Sequence, residues 1–221
     1  MQRAMIILAA VVLCCAIAAP AAADDTGWHL RLFAAGFDPS LDETVPAENP
    51  EFVQVSSDTD LGYGASLEYQ FSSRWGVEFG FMQGDPAVKI SGEIPDDGEL
   101  VLSDPMTTTA VIFDVDFHIT PHSEVFDFYV GAGIARLSFH DLFYEIPEVD
   151  ESFGIRVNND TALTVKAGLG IALGGSSWSA IGGLRYTDTE LVVSNSEDSP
   201  SDTVSFDYGL FNFTVGISYS F

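Results

Sequence analysis

The chain has 221 residues, 33 acidic against 8 basic, for a formal net charge of −25, and 47% of it is hydrophobic. So acidic a balance excludes nucleic-acid or anionic-lipid binding through a basic patch, and so apolar a composition excludes an acidic disordered chain. The two cysteines, Cys14 and Cys15, stand side by side near the start and supply the rest of the chain with no disulfide framework, thiolate metal site or nucleophile.

The chain opens with Arg3, an apolar run from Ala4 to Ala19, and the small residues Ala21-Ala22-Ala23 ahead of Asp24-Asp25. That order is the pattern of a secretory signal with its cleavage site. The run is short for a spanning helix, and aspartates follow it where an anchor would carry basic residues. Leu13 and Cys14 occupy the places where a lipidated cysteine needs a small neighbour, so a lipid anchor is not expected. Residues 1–23 therefore read as a signal peptide and 24–221 as one mature domain. No later stretch approaches the apolar run of a spanning helix, which leaves a secreted β-protein or a transmembrane barrel.

Period-two alternation then recurs in eight segments: Trp28–Gly36, Leu61–Phe71, Trp75–Met82, Thr109–His118, Phe126–Leu137, Ala162–Leu173, Trp178–Thr187 and Tyr208–Phe221. Each is near the ~9–11 residues of a tilted transmembrane strand. In the fourth, Val111, Phe113, Val115 and Phe117 oppose Asp114, Asp116 and His118; in the last, Phe211, Phe213, Val215, Ile217, Tyr219 and Phe221 oppose Asn212, Thr214, Gly216, Ser218 and Ser220. One face is lipid-like and the other polar or small.

Alternation alone also fits a water-soluble barrel, and three features separate the two. The polar face carries charges of both signs, His29, Arg31, Glu68, Glu78, Asp114, Asp116, Lys166 and Arg185, whereas a soluble barrel would keep its charges outside. Short connections (Ser72-Ser73-Arg74, residues 119–125, Gly174-Gly175-Ser176-Ser177) alternate with long ones of about twenty residues, the outer-membrane arrangement of periplasmic turns and extracellular loops. Aromatic residues, including Trp28, Trp75 and Trp178, collect at the predicted periplasmic strand ends, where an amphipathic ring suits the headgroup boundary. The expected fold is an all-β, eight-stranded antiparallel transmembrane barrel in the outer membrane.

Within the long connections, residues 88–94 and 99–103 flank Pro95-Asp96-Asp97-Gly98 and predict a hairpin extending the barrel wall. The stretch from Asp141 to Val149 mixes large apolar residues with acids, and either leans over the mouth or forms a short helix there.

The strongest catalytic constellation is Asp114, Asp116 and His118, successive residues of one strand face at ~6.5–7 Å spacing. Acid–base or metal chemistry would need Glu68, Glu78 or His29 from neighbouring strands. An ion-pair network neutralising Arg31, Lys166 and Arg185 explains the same residues without chemistry, because charges removed from water are retained when paired. His122-Ser123 sits beside Pro121 in a predicted turn, whose composition accounts for it. Gly131/Gly133 and Gly168/Gly170 precede no helix and make no phosphate loop; they read as small inward residues of a narrow barrel. No enzyme, cofactor or metal site is expected.

Three stretches carry a resemblance to a known family: Trp75-Gly76-Val77-Glu78, Phe128-Tyr129-Val130-Gly131-Ala132-Gly133-Ile134, and the ending Phe213-Thr214-Val215-Gly216-Ile217-Ser218-Tyr219-Ser220-Phe221. They resemble the OmpW family of small outer-membrane proteins. The resemblance implies a narrow eight-stranded barrel that helps small hydrophobic molecules cross the outer membrane. The ending Phe213, Val215, Gly216, Ile217, Tyr219 and Phe221 resembles that of many outer-membrane barrels, in which it looks like the signal read by the barrel assembly machinery, and so points to the class more than to this family. The family's gate residues are not carried over, since the long loops depart from the family. A monomer among outer-membrane lipids is expected, with a structural or surface-receptor barrel of the OmpA or OmpX kind as the alternative function.

Overall fold

The computed structural model describes residues 26–46, 52–94, 98–121, 123, 125–146, 151–195 and 203–221; the expected signal peptide lies outside them. Eight strands form the barrel: β1 (Gly27–Ser40), β4 (Asp60–Gln70), β5 (Trp75–Gly84), β8 (Thr108–His118), β9 (Phe126–Phe139), β12 (Asp160–Ala172), β13 (Trp178–Asn195) and β14 (Thr203–Ser220). Each pairs antiparallel with its neighbours, and β14 returns to β1 from His29↔Ser220 to Ser40↔Gly209. Closure satisfies every ladder group without an edge in hydrocarbon, which is what a β-structure needs in order to span a membrane. The last residue completes it, with Trp28 and Phe221 exchanging backbone hydrogen bonds of 3.1 and 3.0 Å.

The pleat sorts the side chains by face. Phe113, Val115, Phe213, Val215 and Ile217 point outward, 41 to 71% exposed, while Asp114, Asp116 and Asn212 point inward and are fully buried. A continuous apolar exterior around a polar-containing interior is stable in lipid and a hazard in water. At one rim the outward aromatics stack in pairs, Trp28 on Tyr69 at 4.7 Å, Trp75 on Phe117 at 4.9 Å and Trp178 on Tyr219 at 4.9 Å. This belt marks the periplasmic interface, where the connections are tight. At Ser72-Ser73-Arg74 the Ser72 hydroxyl accepts from the Trp75 amide at 3.0 Å. After β12, Gly174 and Gly175 adopt left-handed φ of 63° and 71°, a conformation that glycine enters without penalty.

At the opposite end most of the long connections are themselves strands. β2 (Asp42–Pro46), β3 (Phe52–Ser57), β6 (Ala87–Ile94) and β7 (Gly98–Pro105) form a four-stranded sheet, and β10 (Leu142–Ile146) pairs with β11 (Glu151–Val157), which adds to β13. The expected hairpin is thus β6–β7. The stretch after β9, open between a helix and a covering segment, folds as the hairpin β10–β11. It extends the wall beside β13, and its inner face packs on the core: Leu142 and Tyr144 are 2% exposed there, and the Tyr144 hydroxyl donates to the Val88 carbonyl at 3.3 Å. Burial raises the pKa of that hydroxyl, with Asp104 nearby adding to the effect.

Candidate functional site

The lumen has two layers. In the periplasmic half the alternation sets acids and bases on facing strands. Arg31 of β1 reaches Glu68 of β4 and Glu78 of β5 with its two terminal nitrogens. From β12, Lys166 Nζ lies 2.6 Å from Glu78, 2.9 Å from Asp116 and 3.4 Å from Asp114. Arg185 of β13 donates to Asp114 at 2.7 Å and to the Thr164 hydroxyl at 3.1 Å. His118 bridges Glu68 at 2.7 Å and Asp127 at 2.8 Å. Tyr129 lies beneath the cations, 4.6 Å from Arg31 and 5.4 Å from Lys166.

Room for this layer comes from glycine. A Cβ on Gly131 would strike the Asp116 carboxylate, and one on Gly168 the Tyr129 ring. All nine residues expected on the polar face therefore line one lumen. Eight of them form the ion-paired layer, but His29 joins it only at the edge, bonding the neutral Gln70 at 3.1 Å and Ser220 at 2.9 Å.

Asp114, Asp116 and His118 share a face yet engage different partners, so they do not make one reacting unit. Oxygens of Glu68, Glu78 and Asp116 lie within 4.8 Å of one another, a spacing that a cation could bridge. Arg31 and Lys166 already fill that role. Ser123 accepts from the Val125 and Phe126 amides at 3.4 and 3.2 Å, a turn-forming duty, while His122 lies outside the described residues.

Sequence reasoning missed Asp127, Tyr129 and Thr164. The signal was there, since Asp127 and Tyr129 alternate in phase with the inward Gly131 and Gly133. It also missed the second layer. Above the charges the inward face becomes apolar: Ala35, Phe37, Met82, Ile112, Leu137 and Leu210 are at most 2% exposed. Tyr208 and Phe139 meet edge to face there at 5.8 Å. The expectation of an inward face that is polar or small throughout is corrected accordingly. These positions continue the inward alternation past the charged stretch, where the segments as read from sequence were cut short or their upper apolar residues were overlooked.

The wall opens beside this layer. Pairing of β14 with β1 ends at Ser40↔Gly209, beyond which Thr203–Tyr208 of β14 pairs only with β13 while β2 turns away to β3. A cavity of about 330 Å³ lies in the slit, lined by Glu43, Thr44, Glu190, Val204, Ser205, Phe206 and Asp207.

The family described as outer membrane protein beta-barrel domain matches residues 7–221. The chain belongs to that family. Its place is the outer membrane, and the family is one of barrels rather than soluble catalysts. Among solved structures it is similar to the outer membrane protein OprG from Pseudomonas aeruginosa, at 17% identity and a TM-score of 0.66, covering 89% of this chain and 96% of that one. It is also similar to outer membrane protein AlkL in DMPC lipid bilayers, at 21% identity and 0.60, covering 92% and 94%. Neisserial surface protein A follows at 10% identity and 0.54, covering 88% and 97%. At these identities the likeness establishes the shared barrel fold. No curated protein matches the sequence.

Proposed function

We propose that this barrel is a narrow uptake path for small hydrophobic molecules, of the OmpW type. The apolar upper lumen, closed below by ion pairs and flanked by the slit between β2 and β14, is the observation that carries the reading. A solute entering from outside meets Phe37, Met82, Leu137 and Leu210, surfaces that an apolar molecule wets and a sugar does not. Below them the Arg31–Glu68–Glu78–Lys166 layer blocks a direct course to the periplasm. The solute therefore leaves sideways through the slit, past Val204 and Phe206, at the outer rim of the paired wall.

Entry passes the β10–β11 hairpin, whose Leu142 and Tyr144 pack into the apolar core. The test compares the accumulation of a hydrophobic compound and of a sugar of similar size in cells with and without the protein. The reading predicts faster accumulation of the hydrophobic compound alone, lowered at least severalfold when Phe206→Asp replaces the apolar side of the slit with a further carboxylate beside Glu43, Glu190 and Asp207. Equal accumulation in both strains, with folded barrel in the membrane, favours the second reading, a structural or surface-receptor barrel. The close packing of the interior supports that alternative.

A further inference from the structure

We propose that the cavity at the periplasmic end of the lumen is a binding site for a small organic ammonium ion of the amino-alcohol class. This site lies at the opposite end from the apolar layer and does not depend on the uptake reading. The cavity measures about 150 Å³ and is bounded by residues of β9, β12, β13, β14 and β1 and by Ser123 and Val125 of the turn before β9. A volume of about 150 Å³ is enough for a six-carbon ring, so an ion of that size or smaller fits.

Charge selects a cation. Arg31, Lys166 and Arg185 offset Glu78, Asp114 and Asp116. Both ring nitrogens of His118 meet carboxylates, so the Glu68–His118–Asp127 bridge shares two protons and keeps one negative charge, whichever group holds them. Of the two acids Glu68 is fully buried against Arg31, whereas the Asp127 side chain is 38% exposed and lines the cavity. The excess charge therefore sits at the cavity wall, on a carboxylate whose Oδ1 is buried and has no partner among the described residues. A hard divalent ion needs about six or more oxygen ligands and finds one carboxylate among the described lining residues, which favours a softer organic cation.

The remaining surface suits the rest of such a molecule. Ala172 and Ile181 offer an apolar side. Beside them Ser179, the register partner of Ala172, pairs in turn with Ser218, and Ser218 with Arg31, which lays two hydroxyls beside the guanidinium. Arg31 Nε is a buried donor with no partner among the described residues, which a ligand hydroxyl would satisfy. Arg31 does not call for an anion, because its other nitrogens already hold Glu68 and Glu78.

The test titrates the folded, full-length barrel in micelles with ethanolamine, with propan-1-ol as a neutral analogue of the same size and with sodium chloride at equal ionic strength. Amide NMR shifts at Asp127, Ser179 and Ser218 give the readout. Saturable shifts with ethanolamine alone, weakened at least tenfold in Asp127→Asn, are expected. Ser179→Leu fills the cavity while leaving every charge in place, and should abolish the shifts even if Asp127→Asn does not fold. Equal saturation with propan-1-ol, reproduction of the shifts by sodium chloride, or unchanged binding in a folded variant of either kind would overturn the proposal.

Discussion

Arg31 shows how single residues hold this barrel. It is 5% exposed and lies between two buried carboxylates, so its removal leaves Glu68 to His118 alone and Glu78 without one of its cations in a poorly hydrated space. Breaking a buried pair from one side costs about 3–5 kcal/mol. Arg31→Leu is therefore expected to lower the unfolding free energy in lipid by about that amount, whereas Arg74→Leu in an exposed periplasmic turn should change it by under about 1 kcal/mol. Urea titration of both variants refolded into liposomes measures the difference, and similar midpoints would contradict the pairing. At this scale the charged residues were legible because a membrane barrel leaves such groups only its lumen. The Asp127 acceptor of His118 and the Tyr129 ring were less so: parity placed them inward, but nothing in the sequence said which inward residues would touch.

At the scale of the strand, alternation carried nearly all the information. The register puts Val215 outward at 71% exposed, with Asn212 inward and fully buried. A fluorophore on cysteine at Phe113 or Val215 should be quenched by brominated lipid. One at Ser220, on the inward face near the periplasmic rim, should not be quenched. Equal quenching at all three would mean that the faces are misassigned. The extracellular connections were harder to read, because a hairpin standing above the membrane has water on one side and weaker patterning. The β6–β7 turn was legible from Pro95-Asp96-Asp97-Gly98, which breaks two apolar runs. For β10–β11 the run Leu142-Phe143-Tyr144 does not distinguish helix from strand by period; its pairing is fixed by contacts with β13 and β7 that are remote in sequence.

For the whole molecule, two unlike layers stacked in one barrel give an interior that sorts solutes by polarity. The apolar layer resists hydrated ions and sugars, and the charge layer resists apolar solutes, so neither kind crosses straight through. Cavities of about 150 Å³ at the periplasmic end and about 40 Å³ beside Lys166 and Arg185 meet at Arg31, Tyr129 and Ile181, which separate them. The fold class and the membrane were readable from sequence through alternation, loop lengths and the aromatic rim. The layering was not, because it depends on where along each strand the inward face changes from charged to apolar, and the strands had first to be set in register. Ion conductance across a planar bilayer holding the purified protein tests this layered seal most directly. The account predicts no stable conductance steps in the wild type, and steady open-channel currents from the unmodified barrel would contradict it.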